Sequence, residues 1–208
     1  MSGIIAQNVG RPSGLIKAAG GGGGTWVEIK SITASADSTI SFVNGTSDVV
    51  LDSTYPIYCF RFINVHLDHT TGSHFSFQGS TNAGSSYGVT ITTSYFQAEH
   101  GETGGGATVT YQPGSDQAQT TNYQNIMSSI TTANDDSGSG YLYLFAPSDT
   151  TFAKHFLVRT HCVATNYAVD GYIGGYFNTT SAIDAIQFKM ASGTIESGKI
   201  KLFGIKDS

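Results

Sequence analysis

Nowhere in this chain do apolar residues keep a helical period for three turns. Instead they recur at every second position, in short runs separated by Gly, Ser, Asn and Asp. Only an extended backbone places alternate side chains on one face, so the pattern restricts the chain to strands. Trp26 to Ile32 alternates Trp26, Glu28 and Lys30 against Val27, Ile29 and Ser31, and Thr39 to Val43 continues the period after a polar turn. Ile57 to Leu67 sets Ile57, Cys59, Ile63, Val65 and Leu67 on one face and Tyr58, Phe60 and Phe62 on the other, which predicts cover on both sides. Further strands are expected at His74–Gln78, Val89–Ala98, Ala107–Tyr111, Gly140–Ala146, Phe152–Ala164, Ala168–Asn178, Ile183–Met190 and Lys199–Ile205. Glu99–Gly106 and Gln112–Asn122 read as long surface loops, and Asn122–Ile130 fits either a helical turn or another strand.

Roughly nine to eleven strands with frequent turn signals predict an all-β, antiparallel β-sandwich. A jelly roll fits best, since the runs are long and a few connections are extended. An immunoglobulin-like domain fits less well, because the Cys-Trp-Cys layout is missing. The 208 residues suit one domain with a sizeable core.

Residues 20–24 are an unbroken glycine run, the clearest boundary in the sequence. The expected organisation is therefore a docking peptide over 1–19, a polyglycine tether over 20–24, and the sandwich over 25–208. Ile4, Ile5, Val9, Leu15 and Ile16 give the leading peptide apolar anchors, suited either to a groove on a neighbouring subunit or to folding back on its own domain. Ile4, Ile5 and Ala6 make only a brief apolar patch, without the basic flank of a secretory signal.

Charged residues are only 12% of the chain and the formal charge is −5. Such a neutral, hydroxyl-rich surface suits contacts with other proteins or sugars. It argues against nucleic acid, which demands a concentrated excess of Lys and Arg. No stretch approaches the roughly 18 apolar residues of a membrane-spanning helix. Cys59 and Cys162 both fall in strand-like runs; buried thiols are the simpler reading, one disulfide between neighbouring strands the other.

Candidate catalytic and metal-binding constellations are weak. His66 and Asp68 share a strand face, but His69 and His74 fall in or beyond the following turn. His155 and His161 share a face about 20 Å apart, too far for one metal ion. Glu99, His100 and Glu102 lie among glycines that hold no fixed geometry. The Asp136–Gly140 stretch looks superficially like a phosphate loop but lacks the Gly-Lys-Ser/Thr ending and a helix behind it. No catalytic residue, metal site or cofactor is expected. The tyrosines are more informative. Tyr141 and Tyr143 share one face, Tyr172 and Tyr176 another, and Tyr87, Tyr111 and Tyr123 lie near loops. On a hydroxyl-rich scaffold they either meet a sugar or protein partner or pack half-buried on their own strands.

Three stretches carry a family resemblance: SGIIAQNVGRPSGLIKA with polyglycine and TWVEIKSITAS; the pair DSTYPIYCFRFINVH and FSFQGSTNAGSSYGVT; and the closing AIDAIQFKMASGTIESGKIKLFGI. Together they resemble virion structural proteins of tailed bacteriophages, marine phages of cyanobacteria in particular. The resemblance implies a non-enzymatic tail-fibre, tail-adaptor or head-decoration component, assembled in the host cytoplasm and carried in the virion. Its implied partners are other virion proteins, further copies of itself, with a trimer favoured, and a host-surface glycan met by loops. A lectin-like carbohydrate-binding module is the main alternative, and a cupin or glycoside hydrolase the next.

Overall fold

The computed structural model describes residues 25–207. The expected docking anchors Ile4, Ile5, Val9, Leu15 and Ile16 and the glycine run fall outside the described residues. Thirteen strands carry the chain: β1 (Trp26–Thr33), β2 (Ile40–Val43), β3 (Ile57–Leu67), β4 (Ser73–Ser80), β5 (Ile91–Gly101), β6 (Thr108–Tyr111), β7 (Ala118–Thr120), β8 (Gln124–Ile130), β9 (Gly138–Phe145), β10 (Lys154–Val163), β11 (Tyr167–Phe177), β12 (Ala185–Met190) and β13 (Ile195–Ile205). The described residues contain no helix.

Every strand pairing is antiparallel. A large sheet runs β1-β13-β3-β9-β10-β11-β5-β6, with β7 also beside β5, and a small sheet runs β2-β12-β4-β8. With β5–β7 and β10–β11 set aside, eight strands remain. They form two quartets, β1-β13-β3-β9 and β2-β12-β4-β8, between which the chain crosses repeatedly. The hairpin β10–β11, together with β5–β7, widens only the first quartet.

The core lies between the sheets and is chiefly aromatic. Phe42 of β2, Phe75 of β4 and Phe188 of β12 meet Phe60 and Phe62 of β3, and Phe77 of β4 packs on Phe188, Phe156 and Phe177, all essentially without solvent exposure. Burying each such ring contributes about 1.5–3 kcal/mol. Strand β10 shows how alternation selects the faces. Phe156, Val158, Thr160 and Cys162 are buried, while His155, Leu157, Arg159 and His161 face solvent. Tyr58 fixes a corner of the fold, its hydroxyl donating to the Asp52 carbonyl at 2.9 Å and accepting from the Asp52 N–H at 3.0 Å.

Two expectations are corrected, and two further stretches take a definite form. First, β3 does not alternate without interruption: Asn64 adopts φ 48° and the register shifts between Phe62 and Val65. This bulge turns Val65 and Leu67 into the core beside Phe60 and Phe62 and leaves Ile63 exposed. Second, Glu99 and His100 are not in a loop; β5 runs through them to Gly101, where they pair with Val169 and Ala168 of β11. Third, of the two alternatives for Asn122–Ile130 the strand holds, as β8 from Gln124 to Ile130, and the short β7 inside the expected loop Gln112–Asn122 helps bring the count to thirteen. Fourth, the glycines of Asp136–Gly140 open strand β9. Cys59 and Cys162 are free, buried thiols. Burial pushes each up to about 11.

Candidate functional site

The two sheets present opposite chemistry to solvent. The outer side of the small sheet is polar: Ser41, Gln187 and Lys189 are partly exposed, while Ser76 and Gln78 are buried, Gln78 Nε2 donating to the Thr121 and Asn122 carbonyls. Tyr123 lies over it, its hydroxyl donating to Gln187 Oε1 and its ring 4.2 Å from Lys189 Nζ. The outer side of the large sheet instead gathers six of the eight large hydrophobic side chains exposed among the described residues: Trp26, Ile63, Phe96, Val109, Tyr111 and Leu157. Isolated exposed hydrophobics are ordinary, but concentration on one face marks a contact surface.

Strand register builds this surface. Tyr111, Phe96, Tyr172, Arg159, Tyr141 and Arg61 stand opposite one another across six neighbouring strands. Neighbouring strands lie about 4.8 Å apart. Phe96 and Tyr172 stack at 4.9 Å with planes 3° apart, so both rings stand upright on the sheet. The Arg159 guanidinium covers the other side of Tyr172, 5.0 Å from its centroid. Farther along, Tyr141 and Tyr143 meet edge to face at 5.1 Å, and Trp26 packs the same way on Tyr143 at 6.1 Å. Arg61 lies 4.8 Å over Trp26, ending the strip in a second cation–π pair.

Beside that row is an open hollow of about 490 Å³, floored by Ser94 and Gly174 and walled by Phe96, Tyr172, Leu157 and Tyr143. Gly174 leaves the floor open; a Cβ there would find nothing closer than Leu157 Cδ2 at 3.5 Å. The lining is chiefly apolar and aromatic, and Arg159 and Tyr172 on its wall are held by Asp170, which lies outside the hollow. Arg159 donates to Asp170 through Nε at 3.3 Å and Nη2 at 2.9 Å, and the Tyr172 hydroxyl donates to the same carboxylate at 2.9 Å. The Arg159 hydrogen bond holds the Asp170 carboxyl below its ordinary value, and that same contact raises Arg159.

Three other aspartates are also held low. Asp52 accepts from Thr54, Asp68 from the N–H of Thr194, and Asp149 from the N–H groups of Phe152 and Thr151. A carboxyl whose folded pKa lies below its unfolded one adds stability that is complete above the unfolded value, near pH 4, and disappears as pH falls through the folded value. The melting temperature should therefore be level from pH 7 to about pH 5 and fall steeply below about pH 4. Asp170→Asn should flatten part of that fall. Thermal melts from pH 3 to 7 on both proteins check this, and parallel acid limbs would refute the role given to Asp170.

The remaining constellations do not converge. His66 Nδ1 contacts Glu196 Oε2 at 2.7 Å and its Nε2 contacts the Ala133 carbonyl at 3.0 Å, so both ring nitrogens are engaged. His69 pairs with Thr71, His74 with the N–H of Ser129, and Asp68 with Thr194. Among the described residues, no three His, Cys, Asp or Glu side chains are grouped to hold a metal ion. A wider depression, about 800 Å³, lies between the Ser53–Pro56 and Ala146–Thr151 loops; of its two carboxylates, Asp149 and Asp207, the first is already spent on backbone N–H groups.

Of the tyrosines singled out by sequence, Tyr141, Tyr143, Tyr172 and Tyr176 share the outer face of the large sheet, and Tyr111 ends the edge strand β6 beside them. Tyr123 precedes β8 and lies over the small sheet, and Tyr87 packs near Gly84 in the turn after β4. Trp26, Arg61, Phe96, Leu157 and Arg159 were not foreseen. A usable signal existed in β10: His155, Arg159 and His161 mark one alternating set as outward, which makes Leu157 of that set an exposed hydrophobic residue. No protein-family model, curated protein or solved structure matches this chain.

Proposed function

We propose that this protein is a non-enzymatic structural component of a tailed-phage virion, a tail fibre, tail adaptor or head decoration, that uses the outer face of its large sheet as a contact surface. The aromatic and arginine strip from Tyr111 to Arg61 carries this reading, because it concentrates exposed apolar area on one wide face of an otherwise polar molecule. The order of the two four-strand sets β1-β13-β3-β9 and β2-β12-β4-β8 supports reading the sandwich as a jelly roll, an architecture shared by capsid and lectin domains. Residues 2–19, with their apolar anchors ahead of the glycine run, attach the domain to a neighbouring virion subunit, and copies of the chain associate, with a trimer favoured.

Particles assembled with a chain lacking residues 2–19 should omit the protein, while the truncated chain melts as the full one does. Incorporation at the normal copy number would overturn the docking role. Mass spectrometry of purified particles that finds no trace of the full chain would overturn the virion assignment. The hollow over Ser94 and Gly174 favours one second reading, a lectin-like carbohydrate-binding domain.

A further inference from the structure

We infer that the outer face of the large sheet binds an extended acidic polysaccharide, with uronate carboxylates on Arg61 and Arg159 and sugar rings against the aromatic side chains between and beside them. This rests on the reading of that face as a contact surface and gives it a ligand class. The first support is charge. Arg11 and Lys17 are the only charged side chains ahead of residue 25, so residues 25–208 carry −7. Against that background, Arg61, Arg159, Lys199 and Lys201, half of the eight Lys and Arg in this region, lie on the outer face of one sheet. Of the carboxylates there, Asp170 pairs with Arg159 and Glu28 with Lys201, Glu196 contacts a ring nitrogen of His66, and Asp116 accepts from the Tyr111 hydroxyl. Arg61 and Lys199 have no carboxylate partner among the described residues. Arg159 remains half exposed despite its pair.

Geometry is the second support. Arg61 and Arg159 sit on β3 and β10, both in register with Tyr141 of the intervening β9. Two strand spacings separate their backbones by about 10 Å. An extended chain that reaches both side chains therefore crosses Tyr141. Each guanidinium is already stacked on an aromatic ring, Arg61 on Trp26 and Arg159 on Tyr172, and is thereby oriented before a ligand arrives. The hollow over Gly174 admits a ring or substituent beside this line.

The same charges disfavour other occupants. Two copies joined through this face would bring their cations together, and the leading peptide brings Arg11 and Lys17 of like sign. Nucleic acid, with its denser charge, meets the repulsion of the whole acidic domain.

Trp26, the chain's one tryptophan, lies under Arg61 and reports occupancy by its fluorescence. The full chain is titrated with hyaluronan oligosaccharides, neutral dextran and oligothymidylate, with affinity electrophoresis in parallel. Hyaluronan should shift Trp26 emission and bind more tightly than the other two. Arg61→Gln/Arg159→Gln should weaken it roughly tenfold or more. Leu157→Glu, at an exposed position, should do the same with the cations intact. Equal binding of dextran and hyaluronan, indifferent to the double substitution but lost in Leu157→Glu, would overturn the acidic ligand and keep the contact surface. Tighter oligothymidylate binding, or self-association abolished by Leu157→Glu without saccharide binding, would overturn it for nucleic acid or a second copy. No change at Trp26 with any probe, and no self-association, would overturn both the ligand and the surface.

Discussion

Replacing Phe188 with alanine should remove about 3–5 kcal/mol of stability, a large share of the roughly 5–15 kcal/mol that holds a domain of this kind together. Phe188 occupies the middle of β12 and has no solvent exposure. Its ring lies 6.2 Å from Phe42, 5.3 Å from Phe60, 5.2 Å from Phe62, 5.7 Å from Phe75 and 6.4 Å from Phe77. Those five rings come from three strands in two sheets, so the vacated space borders both halves of the sandwich at once. Rings anchored on separate strands cannot all move into it, and the cavity term adds to the lost transfer energy. Urea unfolding followed by near-ultraviolet circular dichroism gives the comparison. The midpoint should drop with the denaturant slope unchanged. A loss below about 1.5 kcal/mol would show that the aromatic cluster repacks as freely as a volume-conserving swap allows.

How much of this was legible beforehand follows from what a period of two contains. Alternation identifies which side chains share a face, and it correctly paired Tyr141 with Tyr143 and Tyr172 with Tyr176. Where both alternating sets are largely apolar, as with Tyr58, Phe60 and Phe62 against Ile57, Cys59 and Ile63 in β3, it does not by itself say which set faces inward. A bulge is invisible to it, because the extra residue at Asn64 changes the phase without changing composition. The glycine-rich ending of β5 read as loop because glycine weakens a strand on average. Here Gly101 is held by its pairing with Tyr167. The contact surface was hidden for another reason. Tyr111, Phe96, Tyr172, Arg159, Tyr141 and Arg61 are brought into line by long-range strand order, and no local spacing relates residue 61 to residue 159.

Gly140→Ala should cost about 3 kcal/mol, the upper end of the usual range for overpacking, although the change adds only one methyl group. Opposed residues on antiparallel strands ordinarily keep their Cβ atoms about 4.5–5.5 Å apart. At Gly140 a Cβ would fall 2.4 Å from the Arg159 carbonyl oxygen and 2.7 Å from Thr160 Cα, both main-chain atoms that cannot swing aside. The closeness has a purpose in the packing. Thr160 donates from Oγ1 to the Ile126 carbonyl, drawing β8 of the small sheet down on β10, and the neighbouring Gly138 clears room for Met127 in the same way. Pushing β10 outward therefore strains the junction between the sheets and displaces the backbone of Arg159, whose side chain lies on the outer face. The variant should lose stability and hyaluronan binding together. Gly174→Ala is the matched control: its Cβ would meet only ordinary contacts, so this protein should be between about 0 and 1 kcal/mol more stable than the parent. Equal unfolding midpoints for the two variants would mean that β9 and β10 can separate without cost, and the tight junction assigned to Gly140 would have to be abandoned.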